Sequence, residues 1–467
     1  MMATAQNAPA RSGHGGALAL TGICLGFFLV LFDATAVNVA TGDIATALGA
    51  SVVTVQWVLN AYTVAFAALM LTAGNLGDRW GARRTYQAGA ALFAVASAVC
   101  ALAPDAAVLI AARAGQGVGA AAVVPCSLAL IAHRFPEGAQ RSRALGIWGG
   151  VSGIGLTAGP VVGGALVAAL GWRSVFLVVV PIAAVSLALV AARVEETPRR
   201  SARPDLVGQV LAVAALVALT AALTQTATQG WRAPLVVGLL GVAVGTGIAF
   251  VVSAFRVPEP MLPPKLFASN AFSGVTGVGL LFNFGLYGVL FCLTLFLERA
   301  LHRPAAIAGM ALLPLTAVVT LGALFSGRIT ARFGPRAPMI AGLAGGLFGT
   351  CLLAVWGDRS GVAALAVFGA ILGCVGLAMP AMTAIALAAV GSRRAGLGAA
   401  TLNAARQTGG ALGVALLGSA AFQRSASFPH LRFPMTLAAI GYLIALGITV
   451  AAIRPRPDGD PPRHRGT

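Results

Sequence analysis

The sequence predicts an all-α polytopic membrane protein of fourteen transmembrane helices, arranged as two six-helix bundles with two extra helices between them. Three observations lead there. Of 467 residues, 58% are hydrophobic and 9% charged, and the mean hydropathy of +0.89 lies far outside the range of soluble domains. The apolar residues fall into fourteen runs of membrane-crossing length. Short motifs recur about 250 residues apart, the mark of a duplicated unit.

A run of about 20 apolar residues spans a bilayer as a helix. Such runs lie at 17–40, 52–73, 85–104, 106–130, 143–169 and 173–192, which make the first bundle, 17–192. A pair at 206–227 and 233–254 forms the extra helices, 206–254. The second bundle, 270–453, holds runs at 270–297, 304–326, 337–356, 361–389, 396–421 and 434–453. Between the bundles, 193–205 (RVEETPRRSARPD) and 255–269 are charged or proline-rich connectors, the composition of solvated linkers. Residues 1–16 and 454–467 are left as tails. The first run is too long for a cleavable signal peptide and lacks a small-residue cleavage site.

The formal net charge of +18 points to nucleic acid only if the basic residues cluster on a soluble surface. They do not. With the N-terminus inside, 22 of the 31 Lys and Arg residues fall in loops and tails on one side, seven on the other and two within spans. That bias places both termini in the cytoplasm and the protein in the cell's inner, or plasma, membrane. Lipid then accounts for the composition, with no nucleic-acid partner.

Two kinds of motif repeat. GNLGDRWGARR at 74–84 pairs with GRITARFGPRA at 327–337, so that Gly74, Arg79, Gly81 and Arg83 match Gly327, Arg332, Gly334 and Arg336. The run GIWGGVSGIGLTAGPVVGG at 146–164 pairs with the helix beginning at 396: Gly159 and Gly163 match Gly409 and Gly413, while Pro160 becomes Gly410. Gly155, Gly159 and Gly163 share one helix face and let another backbone approach closely. Pro160 cannot donate to the Leu156 carbonyl, so a kink is expected there. Gly164 closes the motif.

One acid lies well inside a span: Asp33, in the first. Arg113 sits at the same expected depth in the fourth, about 10 Å from the outer end at ~1.5 Å per residue. Burial favours the protonated acid and a nearby arginine favours the carboxylate, so a movement that changes their separation binds or releases a proton. A fixed salt bridge between two helices is the alternative. Arg406 lies about 15 Å into its span with no membrane acid to pair with, and Asn403 and Gln407 extend its polar stripe. Substrate contact and inter-helix bonding both remain open for it. Asn38, Gln56, Asn60, Tyr62, Gln116, Asn283 and Tyr287 are further cavity candidates. The loop at 74–84 gathers Asp78 with Arg79, Arg83 and Arg84 around Gly74 and Gly81, a shape able to latch two halves through charge pairs.

Other chemistries lack residues. No GxxxxGK[ST] motif supports an ATP-driven pump. No nucleophile, base and orienting group assemble for an enzyme, and no metal site or cofactor is indicated. Cys24, Cys100, Cys126, Cys292, Cys351 and Cys374 all fall in apolar runs without CxxC spacing, as small core residues.

Four segments together resemble the fourteen-helix drug:proton antiporters of the major facilitator superfamily: LFDATAVNVA at 31–40, the loop at 74–84, RAGQGVGAAAVVP at 113–125 and the glycine and proline run at 149–164. The resemblance covers nearly the whole chain and extends to actinomycete self-resistance exporters. It implies a major facilitator fold. It also implies Asp33 as the proton-carrying acid, Arg113 as its relay partner, Asp78 in an interdomain latch, and Pro160 with its glycines as seal and hinge. No acid stands in the tenth or thirteenth span, where some multidrug members carry one, so selection for dicationic drugs is not implied. The expected function is proton-coupled efflux of an amphiphilic small molecule by alternating access, performed by a monomer with protons as the coupling ion. The alternatives are proton-coupled uptake on the same fold and, further off, a receptor or scaffold, for which no loop is long enough to fold a regulatory domain.

Overall fold

The computed structural model describes residues 14–135, 139–199, 205–390, 395–421 and 430–453. The tail at 454–467, most of the tail at 1–16 and Arg200 and Arg203 of the linker lie outside the described residues, as does Arg393.

All regular structure among the described residues is helical. The first half comprises α1 (His14–Val39), α2 (Thr41–Ala47), α3 (Val52–Trp80), α4 (Ala82–Leu102), α5 (Ala106–Arg134), α6 (Ala139–Leu170), α7 (Ser174–Leu177) and α8 (Val179–Arg193). Then come α9 (Leu206–Gln229) and α10 (Pro234–Arg256). The rest is α11 (Asn270–Leu295), α12 (Ala305–Phe333), α13 (Arg336–Trp356), α14 (Val362–Gly373), α15 (Ala378–Val390), α16 (Ala395–Ala421) and α17 (Arg432–Ala452). Thirteen membrane-length apolar stretches occur among the described residues, with α7 and α8 making one and α14 and α15 another. The remaining expected span is present as α16, 27 residues long. Its stripe of Asn403, Arg406, Gln407 and Thr408 makes it less apolar than its neighbours.

Local chemistry sets the helix ends. Ser51 Oγ accepts from the Thr54 N–H at 3.2 Å, and Asp105 Oδ1 from the Val108 N–H at 2.9 Å, each satisfying a free first-turn donor. Gly81 and Gly334 stand at φ +103° and +75°, where α3 gives way to α4 and α12 to α13. A side chain would be strained at either position.

Within the first half α1 packs on α6, and α5 packs on α3 and α4; in the second, α11 packs on α16 and α13 on α17. The halves meet where α6 crosses α12 and α3 crosses α16. α9 touches both, since Gln209 Nε2 donates to the Ala68 carbonyl of α3 at 2.8 Å and Ser419 Oγ of α16 donates to the Leu223 carbonyl at 2.8 Å. α10 leans on α9 and presents Val237, Val242, Val244, Ile248 and Val251 outward, a face suited to lipid.

One expectation is corrected. Residues 74–80, read from sequence as part of a loop, are the last turns of α3, which runs on to Trp80. The break is confined to Gly81. Close packing on α5, where a Cβ on Gly77 would fall 2.8 Å from Cys126 Sγ, holds the helix past the apolar run despite two glycines, an asparagine and an aspartate, and it ends at the positive φ of Gly81.

Candidate transport site

Asp33 and Arg113 are 0% and 1% exposed and in contact: Arg113 Nη1 donates to Asp33 Oδ2 at 2.5 Å. Close helix packing brings them together. Gly117 of α5 lies where a Cβ would come within 2.8 Å of Ala65 Cβ and 3.1 Å of the Phe66 nitrogen, so α5 and α3 touch backbone to backbone. Arg113 Nε therefore reaches the Val58 carbonyl at 2.9 Å, and its guanidinium carbon stands 4.5 Å from the Tyr62 ring centroid. Gln116, one turn further along α5, closes the circuit. Its Oε1 accepts from Arg113 Nη1 at 2.8 Å, and its Nε2 donates to Asp33 Oδ1 at 3.1 Å and Ser97 Oγ at 2.7 Å.

A cavity of about 20 Å³, room for about one water molecule, lies between the halves beside this network. Ala34, Asn38, Tyr62, Thr63 and Arg113 line it from the first half, and Tyr287, Gln407, Gly410 and Val414 from the second. Gln56, Asn60, Gln116, Asn283, Asn403 and Arg406 do not line it. Gln56 instead ties the halves together, its Nε2 donating to the Val414 carbonyl of α16 at 3.2 Å. Asn60 and Asn283 are buried with neither amide atom hydrogen-bonded. Tyr62 donates to the Val30 carbonyl at 3.1 Å and Asn38 Nδ2 to the Ala34 carbonyl at 2.7 Å. Phe27 and Trp148 stack on each other at 4.0 Å.

The glycine motif of α6 lies against α1. A Cβ on Gly155 would come 2.7 Å from the Phe28 carbonyl oxygen, one on Gly163 2.9 Å from Ala36 Cβ, and one on Gly159 would overlap the Thr35 hydroxyl. That hydroxyl donates across the seam to the Leu156 carbonyl at 3.2 Å. α6 passes through Pro160 as one helix. The Pro160 carbonyl faces outward from α1, onto Gly309 of α12, and Gly164 lies at the same contact. Thr157 adds a bond across the halves, its Oγ1 donating to the Thr316 carbonyl at 3.1 Å.

At the basic end of the bundle, the linker holds the Gly81 turn. Glu196 accepts from the Arg83 and Arg84 N–H groups at 2.9 and 3.2 Å, and Thr197 Oγ1 from the Ala82 N–H at 2.8 Å, so the linker caps α4. Arg83 Nη2 also donates to the Ala191 carbonyl at 2.6 Å. Gly74, Asp78 and Arg79 sit on the last turns of α3 above this junction.

One acid escaped the sequence reading. Glu298, placed just past a span end, belongs to the π-helical turn Phe296–Ala300 that extends α11. Both of its carboxylate oxygens are enclosed and make no well-formed hydrogen bond, although they press on the backbone at Gly42. With Asp43, Arg299 and Arg303 it lines an open cavity of about 360 Å³. Partial desolvation raises the Asp43 carboxyl above its usual value, although the residue is exposed. An acid in the last turn of a span was the available signal.

Comparison with known proteins gives a consistent picture. The family model described as Major Facilitator Superfamily matches residues 23–277 and 275–467. A methylenomycin A resistance protein of Bacillus subtilis is 36% identical over 405 residues, covering 85% of each chain. The multidrug resistance protein Stp of Mycobacterium tuberculosis is 36% identical over 417 residues, 89% of this chain and 78% of that one. The tetracenomycin C resistance and export protein of Streptomyces glaucescens is 34% identical over 462 residues, 96% of this chain and 84% of its own. In fold, the chain resembles a bacterial homolog of the human lysosomal transporter Spinster, crystallised inward-facing and unoccupied. The TM-score is 0.67 at 19% identity, over 94% of this chain and 97% of that one.

Proposed function

Since this chain belongs to the major facilitator superfamily and is a multi-pass membrane transporter rather than an enzyme, we propose that it exports amphiphilic organic compounds in exchange for protons. The observation that carries the coupling is the enclosed Asp33–Arg113–Gln116 circuit bordering the space between the halves. Its relatives' names, which speak of resistance and export, support the direction. The protein sits in the plasma membrane with both termini in the cytoplasm, in keeping with the arginine bias.

The physics of exchange follows from the circuit. While Asp33 is ionised, Arg113 is neutralised and held against α1. A proton on Asp33 removes that compensation and leaves a positive charge in a site of low dielectric constant, which favours a different arrangement of α1 and α5. The cavity beside Arg113 admits a water but not an organic substrate, so loading requires the halves to part, and alternating access is the motion that does this. The hinge is the glycine seam of α6 on α1, which lets the helices shift while in backbone contact, and the Gly81 junction with its Asp78, Arg79, Arg83 and Arg84 latches the basic side.

The test is a pH-jump transport assay in proteoliposomes with a fluorescent amphiphile. Wild-type protein should accumulate the compound against its gradient only when a proton gradient opposes it, and Asp33→Asn should lose that coupling. Undiminished proton-driven export by Asp33→Asn refutes the role of Asp33, and inward accumulation with the proton gradient would make the protein a symporter.

A further inference from the structure

The two intramembrane arginines are treated in opposite ways. Arg113 has a carboxylate, a glutamine, a carbonyl and an aromatic face. Arg406, about midway along α16, has no carboxylate within ion-pair distance among the described residues. Among the described residues its one side-chain hydrogen bond is a long one, Nη1 to Asn403 Oδ1 at 3.4 Å, and its Nε is enclosed without a partner. Its guanidinium carbon stands 5.4 Å from the Phe282 ring centroid, a contact that orients the group without neutralising it.

The facing helix continues the pattern. α11 makes room for Arg406 at Gly279, where a Cβ would fall 3.1 Å from Arg406 Cγ. One turn on, along the same face, stands Asn283, 1% exposed with both amide atoms unpartnered. A further turn on stands Tyr287, which borders the space between the halves, as does Gln407 beside Arg406. An uncompensated arginine in the membrane and a buried amide without partners are each costly. Helix packing that only needed to be stable would have satisfied both, as it does for Arg113.

We infer that Arg406 and Asn283 form the receptor for an anionic oxygen of the transported compound, which is therefore an amphiphilic organic anion: a carboxylate, or an ionised enol or phenol. The guanidinium offers parallel N–H donors to a pair of oxygens, and the Asn283 amide adds a donor one turn away. Tyr287 and Phe282 supply apolar surface for the rest of the molecule. An uncharged analogue leaves Arg406 uncompensated, and a cation is repelled, so the site discriminates by charge. This inference rests on the export reading for its direction alone. One charge follows: an anion leaving as a proton enters moves two charges per proton in the same sense, where a neutral compound moves one.

The test uses pyrenebutyrate and its methyl ester, an anion and an uncharged near-isostere, titrated onto the protein in lipid nanodiscs and read by energy transfer from tryptophan. Wild-type protein should prefer the acid by about tenfold or more, the factor that about 1.4 kcal/mol confers. Arg406→Gln should lose that preference while keeping its affinity for the ester, Arg406→Lys should retain most of it, and Asn283→Ala should fall between. Retained binding of the ester shows that the variants are folded. The inference is overturned if Arg406→Gln keeps the preference, if wild-type binds both probes equally, or if it binds neither. A protein that exports the ester under a proton gradient but ignores the acid keeps the export reading and loses this one. Binding of the acid at Arg406 with no movement of either probe against a gradient does the reverse.

Discussion

Replacing Asp33 by asparagine separates the structural role of the buried pair from its role in coupling. At the 2.5 Å separation of Arg113 Nη1 and Asp33 Oδ2, Coulomb attraction is on the order of 7 kcal/mol at an effective dielectric constant of about 20. In Asp33→Asn the introduced amide still accepts a hydrogen bond, and Arg113 keeps the Val58 carbonyl, Gln116 and the Tyr62 ring. The charge nonetheless stays where the side chain is 1% exposed, with no counter-charge. Removal of one partner from such a pair typically costs about 3–5 kcal/mol, and the retained bonds place Asp33→Asn toward the lower end. Arg113→Gln alone strands the carboxylate and should cost as much or more. The double variant Asp33→Asn with Arg113→Gln removes both charges and should regain most of the lost stability, yet remain unable to couple export to protons. The assay is equilibrium unfolding in mixed micelles for the four proteins of the cycle, beside proton-driven export in vesicles. If the two single losses add within about 0.5 kcal/mol, the groups do not act as a buried pair and the coupling argument fails.

Four further outcomes follow from named contacts. Gly159→Ala should destabilise by about 1–3 kcal/mol, as overpacking does, since the new methyl falls on the Thr35 hydroxyl; Thr35→Ala in the same chain should restore part of the loss, and thermal unfolding of the three variants decides it. Glu196→Ala removes the acceptor for two amides at the start of α4 and should cost about 0.5–2 kcal/mol, with faster amide exchange confined to residues 82–86; unchanged exchange there would remove the capping role. Asp43 has a raised folded-state value, so its contribution to stability is fully present below the unfolded value near 3.8 and is lost as pH rises through the raised one. Asp43→Asn should flatten the fall in thermal stability over that window, and an unchanged pH profile would show that its partial desolvation has no such effect. Glu298→Gln replaces an enclosed carboxylate whose burial cost exceeds the help it gets from the Gly42 backbone and Arg299, and should raise the unfolding temperature at neutral pH; a lower one would mean that those two contacts outweigh the cost of burying the charge.

Class and path of the chain were legible because a bilayer imposes them. Run length requires nothing but the order of residues, and Asp33 and Arg113 could be matched by counting inward from span ends. What stayed hidden depends on helix rotation and irregular turns. Glu298 was set aside because one π-helical turn prolongs α11, and hydropathy does not encode such a turn. Gln116 looked like a cavity residue, but spacing alone could not show that it bonds both Asp33 and Arg113. The reach of α3 to Trp80 was missed because polar residues past an apolar run read as loop, whereas the backbone stays helical until it turns at the positive φ of Gly81.

The two glycine helices show how much one difference in sequence can mean. Gly159 and Gly163 press on Thr35 and Ala36 of α1, and their counterparts Gly409 and Gly413 press on Leu280 and Phe284 of α11. The matched residues thus do one task, seating a helix against its neighbour within its own half. The unmatched pair does another. The Pro160 carbonyl meets Gly309 of the second half, and Gly410 lies within reach of both Tyr287 and Thr63, the latter from the first half. Position 160 or 410 is one place where each glycine helix faces across the molecule. Because a proline stands at one and a glycine at the other, the two crossings are not equivalent. The α6–α12 crossing sets the Pro160 carbonyl against Gly309, while the α3–α16 crossing has an open glycine beside the cavity that Arg113, Tyr287 and Gln407 line. Asymmetry between two copies of one motif therefore falls where the halves meet, and the enclosed cavity lies on the side without the proline.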